Sequence, residues 1–205
     1  MHTPIVLILA SGSPRRRRLL ENAGIKFVVR PAAINESLHP GESAEELVCR
    51  VAQEKALSVA PDSEEGSLVL GADTTVEVDG NILEKPQGAE DAERMLRLLS
   101  GREHRVLTGI CLVRAPNRIE GLQHEVTRVT FRTLDDQEIR TYIASGEPFD
   151  KAGAYAIQGL ASKFVVRVEG CFFNVVGLPV PLVYSLMKKL SAIGYQLSAN
   201  SPRHG

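Results

Sequence analysis

The chain has 205 residues, of which 43% are hydrophobic and 24% are charged, as in ordinary water-soluble globular proteins. Its 24 basic and 25 acidic residues give a formal charge of −1, which argues against extended nucleic-acid binding but allows a local basic pocket. No apolar stretch is long enough to span a membrane, and neither the cysteines nor the histidines have the spacing of metal ligands. We therefore expect a cytoplasmic protein without disulfides or a membrane partner, in which any metal is held by oxygen atoms.

Apolar runs, turn residues and capping patterns divide the chain into strands and helices. Strands and helices alternate in the first part of the chain, and antiparallel strand pairs dominate the middle. They predict strands at 5–10, 26–30, 67–72, 74–78, 81–83, 103–114, 118–132 and 163–169, helices at 14–23, 43–59, 89–99, 135–144 and 182–193, and a loop at 147–162. Ser43 and Glu46 form a capping-box pattern at the start of the helix at 43–59, and Asp79-Gly80 is a hairpin signal between two strands. Thr133 is expected to cap the helix at 135–144, and Gly194 to end the last helix. This mixture favours one α/β domain over residues 1–196, a mixed twisted sheet flanked by helices, with a disordered tail at 197–205.

The first helix opens with four consecutive arginines, residues 15–18, directly after a turn of small residues at 11–13. A helix start already carries partial positive charge, so arginines there are unfavourable unless an anion binds at the turn. Arg16 falls near the middle of the apolar face and Arg15 on its flank, while the other two point to solvent. We interpret Arg15 and Arg16 as phosphate ligands, and a solvated basic helix is the alternative.

Two more charged residues occupy unusual places. Lys55 lies near the centre of the apolar face of the helix at 43–59, where it either extends to the surface or ends in a pocket beside an anion. Asp73 follows the apolar run 68–72 and is expected at the carboxyl end of a central strand, the edge where ligands gather in open α/β sheets. A turn-forming role between two strands is the other interpretation of Asp73.

Glu36 and Lys85, taken alone, are ordinary surface charges in predicted loops. Together with the arginines, Lys55 and Asp73 they form the set needed for phosphoryl or nucleotidyl transfer to water: cations that neutralise a polyphosphate and a carboxylate that orients the attacking water. No Walker A sequence and no serine nucleophile elbow is present, so a P-loop ATPase and a serine hydrolase are not expected.

The order of the short motifs resembles that of the Maf family of nucleoside triphosphate pyrophosphatases from about residue 5 to residue 194. The strings that carry the resemblance are Ala10-Ser11-Gly12-Ser13-Pro14-Arg15-Arg16, Gly71-Ala72-Asp73-Thr74, Glu84-Lys85-Pro86, Asp150-Lys151-Ala152-Gly153-Ala154-Tyr155, Gln158-Gly159 and Val176-Gly177-Leu178-Pro179. Each is weak alone, but together they are specific.

This resemblance implies an inosine-triphosphatase-like fold with two lobes around a central cleft, and hydrolysis of a nucleoside triphosphate to the monophosphate and pyrophosphate with Mg²⁺ or Mn²⁺. It implies that Asp73 accepts a proton and that Glu36 and Asp73 hold the metal. The implied phosphate-side positions are Ser11, Arg16, Lys55 and Lys85. A homodimer is also implied by analogy.

The positions that resemble the base-selecting set of the family are Arg15, Thr74 and Gln158, which make the chain similar to the branch acting on dTTP and UTP. The Gln158 amide offers a donor and an acceptor, which suits the edge of a pyrimidine. Ala156, where the branch commonly has glycine, adds a methyl group near the expected base pocket, and Cys171-Phe172-Phe173 also departs from the usual pattern. Two alternatives stay open: a pyrophosphatase for a modified purine triphosphate such as 7-methyl-GTP, and a nucleotide-binding regulator of cell division with little turnover.

Overall fold

A computed structural model describes the backbone of residues 6–199 and the side chains of residues 6–190. Its strands are β1 (Leu7–Leu9), β2 (Phe27–Val29), β3 (Leu68–Val78), β4 (Asn81–Leu83), β5 (Glu103–Arg114), β6 (Arg118–Phe131) and β7 (Val165–Glu169). Its helices are α1 (Pro14–Asn22), α2 (Ala44–Val59), α3 (Ala89–Leu99), α4 (Asp136–Ala144), α5 (Phe172–Val176) and α6 (Val180–Ala199). Within this part of the chain, no helix has the length and apolar character needed to cross a membrane.

The strands form one mixed sheet in the order β2-β1-β3-β5-β6-β7, with β4 added beside β3. β1 runs parallel to β2 and β3, whereas every other pair is antiparallel. Alternate residues of the strands enter separate apolar clusters, because successive side chains point to opposite faces: Leu7 and Leu9 join one cluster, and Ile8 joins another with residues of α2. The predicted mixed α/β sheet flanked by helices is confirmed.

Helix α2 lies unusually close to the sheet because two glycines face it. A Cβ added at Gly71 of β3 would lie 2.0 Å from the Ala52 carbonyl oxygen, and one added at Gly109 of β5 would lie 2.1 Å from the Val48 oxygen. Both strands therefore contact the backbone of α2 directly. The start of α2 is fixed by the expected capping box, in which Ser43 and Glu46 each bond the other's backbone N–H.

A gap in the sheet follows from the short length of β1. β1 pairs with β3 only as far as Leu70, and β4 pairs with the same edge of β3 from Val76 onward. Between these two contacts, residues 71–75 have no strand on that edge within the described sheet. The polypeptide of β1 turns away at residues 11–13 into α1, whose first residue is Pro14.

The structure corrects several predicted boundaries. β3 is one continuous strand through Asp73, so the predicted break between 72 and 74 is wrong; Asp73 pairs with Gly109 in mid-strand. Asp135, not Thr133, caps α4 with a capping box, and α6 continues past Gly194 to Ala199. The region 147–162 is not a plain loop, because it contains 3₁₀ turns at Glu147–Asp150, Ala152–Ala154 and the start of Leu160–Phe164. Of the predicted tail at 197–205, residues 200–205 lie outside the described residues.

Candidate functional site

A cavity of about 800 Å³ opens at the gap in the sheet. Its lining includes every residue that the sequence assigned to the site, namely Ser11, Arg15, Arg16, Glu36, Lys55, Asp73, Thr74, Lys85 and Gln158. Because β3 side chains alternate, Asp73 faces α2 and Thr74 faces α1. The cavity therefore receives groups from both faces of the sheet.

On the α1 side, Arg16 is a fixed cation. Its side chain is buried, as predicted, with 8% of the residue exposed, and its three nitrogens bond separate oxygens. Nε donates to the Gly177 carbonyl at 2.8 Å, Nη1 to Ser11 Oγ at 3.1 Å and Nη2 to Thr74 Oγ1 at 3.0 Å. Burial lowers the pKa of Arg16, and the charges of Asp73 and Glu36 oppose this. An arginine stays protonated under these conditions, so the guanidinium is held in one orientation with its charge intact.

The Thr74 hydroxyl belongs to the same network. Besides Arg16, it contacts Thr108 Oγ1 at 2.9 Å and the Gly177 carbonyl at 3.3 Å. Thr108 in turn donates to the Asn174 carbonyl at 3.2 Å, which ties β5 to α5. The elements α1, β3 and β5 and the residue that follows α5 therefore meet at this hydroxyl, which lies between protein groups and is not free in the cavity.

On the α2 side, Lys55 joins two carboxylates. Its residue is 6% exposed, and Nζ lies 2.9 Å from Asp73 Oδ1 and 2.9 Å from Glu36 Oε2. Of the two possibilities for Lys55, the structure shows the pocket beside anions, and those anions are the protein's own. This contact depends on the close packing of α2 against Gly71, since Lys55 follows Ala52 by less than one turn.

Glu36 reaches the site from the loop between β2 and α2, and its side chain is 43% exposed. Burial acts to raise its pKa, but the hydrogen bond from Lys55 and the charges of Lys55, Lys85 and Arg16 outweigh burial, so the pKa is lowered. Glu36 is therefore ionised at neutral pH. Lys85 itself is exposed at the rim of the cavity, where its charge acts on Glu36.

Asp73 owes its position to the gap in the sheet. The rule that ligands collect at the carboxyl ends of parallel strands applies to β1, which ends at Leu9, and not to β3. Because β1 stops short, the cavity reaches the middle of β3 and the Asp73 carboxylate, whose side chain is 14% exposed. The prediction that Asp73 ends a strand is wrong, but the carboxylate does lie beside the end of the neighbouring parallel strand.

Another wall of the cavity is made by residues from Asp150 to Gln158, which follow the start of the 3₁₀ turn Glu147–Asp150. Arg15 Nη1 bonds Asp150 Oδ2 at 3.1 Å, so an ion pair connects α1 with this wall. Gln158 is exposed, and its amide makes no hydrogen bond to the residues that the structure describes. Ala156, the departure from the usual glycine, is half-buried and also lines the cavity.

The carboxylate oxygens of Asp73 and Glu36, which surround Lys55, suit a divalent cation that also binds oxygen atoms of a ligand. Asp73 and Glu36 approach one point closely enough to bind the same ammonium group, that of Lys55. Across the side chains of residues 6–190, acidic, histidine and cysteine groups form no cluster of three that could hold a metal. Mg²⁺ is often held by one or two carboxylates plus substrate phosphates, so these two residues suit it only if phosphate oxygens complete the coordination.

Several groups in this site were not found from the sequence. The Gly177 carbonyl, Thr108 and Asn174 support Arg16 and Thr74, yet none belongs to a residue type that signals this role. Asp150 and Gly177 belong to strings that carry the family resemblance, and the charge of Asp150 beside a run of glycine and alanine could have indicated its role. Tyr142 and Glu147, whose contacts hold the wall that carries Gln158, precede the string that begins at Asp150 and gave no signal.

Comparisons with known proteins agree that the similarity covers most of the chain. A sequence model of the family described as Maf-like protein matches residues 6–190. Relatives named dTTP/UTP pyrophosphatase include one from Syntrophomonas wolfei that is 51% identical over 181 residues, covering 88% of this chain and 95% of the relative. One from an Anaeromyxobacter species is 50% identical over 199 residues (96% and 93% covered), and one from Escherichia coli is 48% identical over 187 residues (91% and 94%). A solved nucleoside-triphosphatase / dITP/XTP pyrophosphatase from Mycobacterium abscessus aligns with 62% of this chain and 73% of its own at 15% identity and a TM-score of 0.37, too distant to support a conclusion.

Proposed function

Because the chain belongs to the Maf family, we propose that it is a hydrolase that converts dTTP and UTP to the nucleoside monophosphate and pyrophosphate. The observation that supports this most directly is the gap in the sheet, where one cavity collects Arg16 and Lys55 with the carboxylates of Asp73 and Glu36. This combination of fixed cations and paired carboxylates suits a polyphosphate and the water that attacks it.

In the proposed reaction, Arg16, Lys55 and Lys85 bind the phosphate chain and neutralise charge that builds on the departing pyrophosphate. Asp73 orients a water molecule and accepts its proton as the water oxygen bonds to the α-phosphorus. The bond from the α-phosphorus to the bridging oxygen breaks, and pyrophosphate leaves with the electron pair of that bond. A divalent cation held by Glu36 and Asp73 supplies additional charge neutralisation at the phosphates when it is bound.

Lys55 has a second proposed task in the free protein. Two carboxylates that share one site repel each other, and this repulsion disfavours the ionised form unless a cation offsets it. The ammonium of Lys55, 2.9 Å from each, keeps Glu36 ionised and ready for a metal and substrate. We propose that Arg15 and Gln158 face the base, with Gln158 as the residue whose free amide hydrogen-bonds it. Thr74, whose hydroxyl is engaged by Arg16 and Thr108, contributes to base selection through the position of Arg16.

A substrate panel tests this function. Incubation with canonical and modified nucleoside triphosphates in Mg²⁺ or Mn²⁺, followed by chromatography, should give dTMP or UMP with pyrophosphate at the highest rates for dTTP and UTP. Preference for a modified purine triphosphate would support the first alternative, and binding without pyrophosphate release would support the regulator. Diphosphate with orthophosphate as products would refute the proposed bond cleavage.

The role of Asp73 is tested by Asp73→Asn, which keeps the size of the side chain and removes its basicity. We expect kcat to fall by about 10²–10⁴-fold while nucleotide binding persists, since this is the usual contribution of a positioned base. Asp62→Asn, at an exposed 3₁₀ turn after α2, is the matched control and should keep the wild-type rate. A near-normal rate in Asp73→Asn would refute the assignment.

We propose a cytosolic protein that acts without nucleic acid and assembles as a homodimer. Sedimentation at micromolar concentration measures the assembly directly, and a monomer would contradict this part of the proposal.

A further inference from the structure

Gln158 lies on a short segment, residues 156–160, which we call the strap. Both ends of the strap are held through their backbone N–H groups by two side chains outside it. Ala156 N donates to the Tyr142 hydroxyl at 3.2 Å, and Leu160 N donates to Glu147 Oε2 at 3.0 Å. Inside the strap, Gly159 N donates to the Ala156 carbonyl at 3.0 Å, so the segment forms a turn with Gln158 on it.

The two anchoring side chains also bind each other. The Tyr142 hydroxyl donates to Glu147 Oε1 at 2.8 Å, so one carboxylate receives the phenol on one oxygen and the strap on the other. Tyr142 is 2% exposed; burial raises its pKa and the bond to Glu147 raises it further, which keeps the phenol protonated as a donor. Lys151 Nζ donates to the Glu147 backbone carbonyl at 2.6 Å and fixes the turn on which the carboxylate stands.

The strap is also pressed against this carboxylate. A Cβ added at Gly159 would lie 2.3 Å from Glu147 Oε2 and 2.4 Å from Oε1. The backbone beside Gln158 therefore rests on both carboxylate oxygens, and the position of Gln158 is set by Glu147 more than by any contact of its own side chain. Gln158 has an exposed side chain with no hydrogen bond to the rest of the described chain, so its amide stays available to a ligand.

We propose that Glu147 is a positioning residue for base recognition, whose carboxylate, together with the Tyr142 hydroxyl, holds the strap so that Gln158 meets the nucleotide base. This inference rests on the proposed function, because it assigns the means by which that same site distinguishes bases. Glu147 itself is not among the residues that line the cavity.

We expect changes at Glu147 to alter base preference with little effect on catalysis, because Glu147 has no bond to the residues proposed to bind the phosphates or the attacking water. Arg16 is on α1, Lys55 on α2 and Asp73 on β3, and none of these is bonded to Glu147. Loosening the strap should therefore raise KM for dTTP and UTP and weaken base preference, while kcat stays within about threefold of wild type. The expected loss of preference is about tenfold, the fold-change that corresponds to roughly one hydrogen bond.

The test compares Glu147→Ala, Gln158→Ala and the double variant by kcat/KM for dTTP, UTP and dGTP. If Glu147 acts through Gln158, each single variant lowers the dTTP-to-dGTP ratio about tenfold and the double variant lowers it no further. Glu147→Gln retains an acceptor for Leu160 N and should restore part of the preference. Additive losses, or an equal fall in kcat for all nucleotides, would show a general structural role and overturn the inference.

A second measurement reports on the strap without turnover. In hydrogen exchange, a peptide that covers residues 156–160 should exchange faster in Glu147→Ala and in Tyr142→Phe than in wild type. Tyr142→Phe removes one hydroxyl and keeps the ring, so it serves if the alanine variant does not fold. Unchanged exchange overturns the inference whatever the activity. A wild-type chain that releases no pyrophosphate from dTTP or UTP refutes the proposed function and this inference together, whereas wild-type preference retained in Glu147→Ala refutes the inference alone.

Discussion

The close packing of α2 on the sheet makes Gly71→Ala the most informative structural perturbation. The added Cβ would lie 2.0 Å from the Ala52 carbonyl oxygen and 2.8 Å from the Ala56 nitrogen, and both of these are backbone atoms that cannot rotate away. Since real Cβ atoms do not approach other heavy atoms within 3.0 Å, α2 and β3 must separate by about 1 Å or more.

This displacement has two measurable consequences. Overpacking of this kind costs about 1–3 kcal/mol, which for a chain of this length lowers Tm by about 2–12 °C. Lys55 lies on α2 between the two atoms that clash, so the shift also moves Nζ away from Asp73 and Glu36. A misplacement of about 1 Å at reacting groups costs on the order of 10²-fold in rate, and we expect kcat/KM for dTTP to fall by that factor.

Thermal unfolding and steady-state kinetics check both numbers. Gly109→Ala, whose Cβ would lie 2.1 Å from the Val48 oxygen, should behave like Gly71→Ala, because it pushes the same helix from β5. Gly121→Ala on β6 is the matched control, since its Cβ would meet only the flexible Leu186 side chain at 3.4 Å. Wild-type activity and Tm in Gly71→Ala, or equal losses in Gly121→Ala, would refute the packing argument.

Three further predictions use other parts of the structure. Arg16→Lys keeps the positive charge but loses the guanidinium fork that bonds Ser11, Thr74 and Gly177. KM for dTTP should therefore rise by roughly 10–100-fold in steady-state assays, and an unchanged KM would contradict a phosphate role for Arg16. Burial lowers the pKa of His104 to about 4, against about 6.5 in an unfolded chain, so unfolding takes up a proton and stability falls as pH drops through this window. Between pH 6.5 and pH 5 the loss is about 1.5 kcal/mol, and a Tm profile for His104→Gln should be flatter there than that of wild type; parallel profiles would contradict it. A chelator should abolish dTTP hydrolysis without lowering Tm by more than a few degrees, and Mg²⁺ or Mn²⁺ should restore it, whereas full activity in the chelator would exclude the proposed metal.

The features that depend on local periodicity were predicted correctly. Burial of Arg16 follows from its place on a helix face, because a 3.6-residue repeat determines which side chains turn inward; for Lys55 the sequence left both burial and surface exposure open. The capping box at Ser43 and the hairpin at Asp79-Gly80, where φ is +49° and +77°, are local too. Both depend on residues within a few positions of each other, which is the range that a single sequence reports.

The errors concern partners that are distant in the chain. Whether β3 breaks at Asp73 depends on where β1 and β4 end beside it, and no residue near Asp73 records this. The ion pair of Arg15 with Asp150 joins positions 135 residues apart, and Lys55 finds its carboxylates on two other elements. Periodicity places such a side chain on the apolar face of its helix, but its partner is decided by how the elements pack.

Capping errors have a different cause. Thr133 and Asp135 are both competent caps, and the structure uses Asp135 because Glu138 then completes a reciprocal capping box. Gly194 was expected to end the last helix, but α6 continues to Ala199, because a glycine inside a helix costs only about 1 kcal/mol and does not force an end.

The central claim is that water bound beside Asp73 attacks the α-phosphorus and expels pyrophosphate. Hydrolysis of dTTP in water enriched in oxygen-18, followed by mass spectrometry of both products, measures the site of attack directly. We predict one labelled oxygen in dTMP and none in pyrophosphate. Label in pyrophosphate would place the attack on the β-phosphorus and contradict the arrangement proposed around Asp73, Lys55 and Arg16.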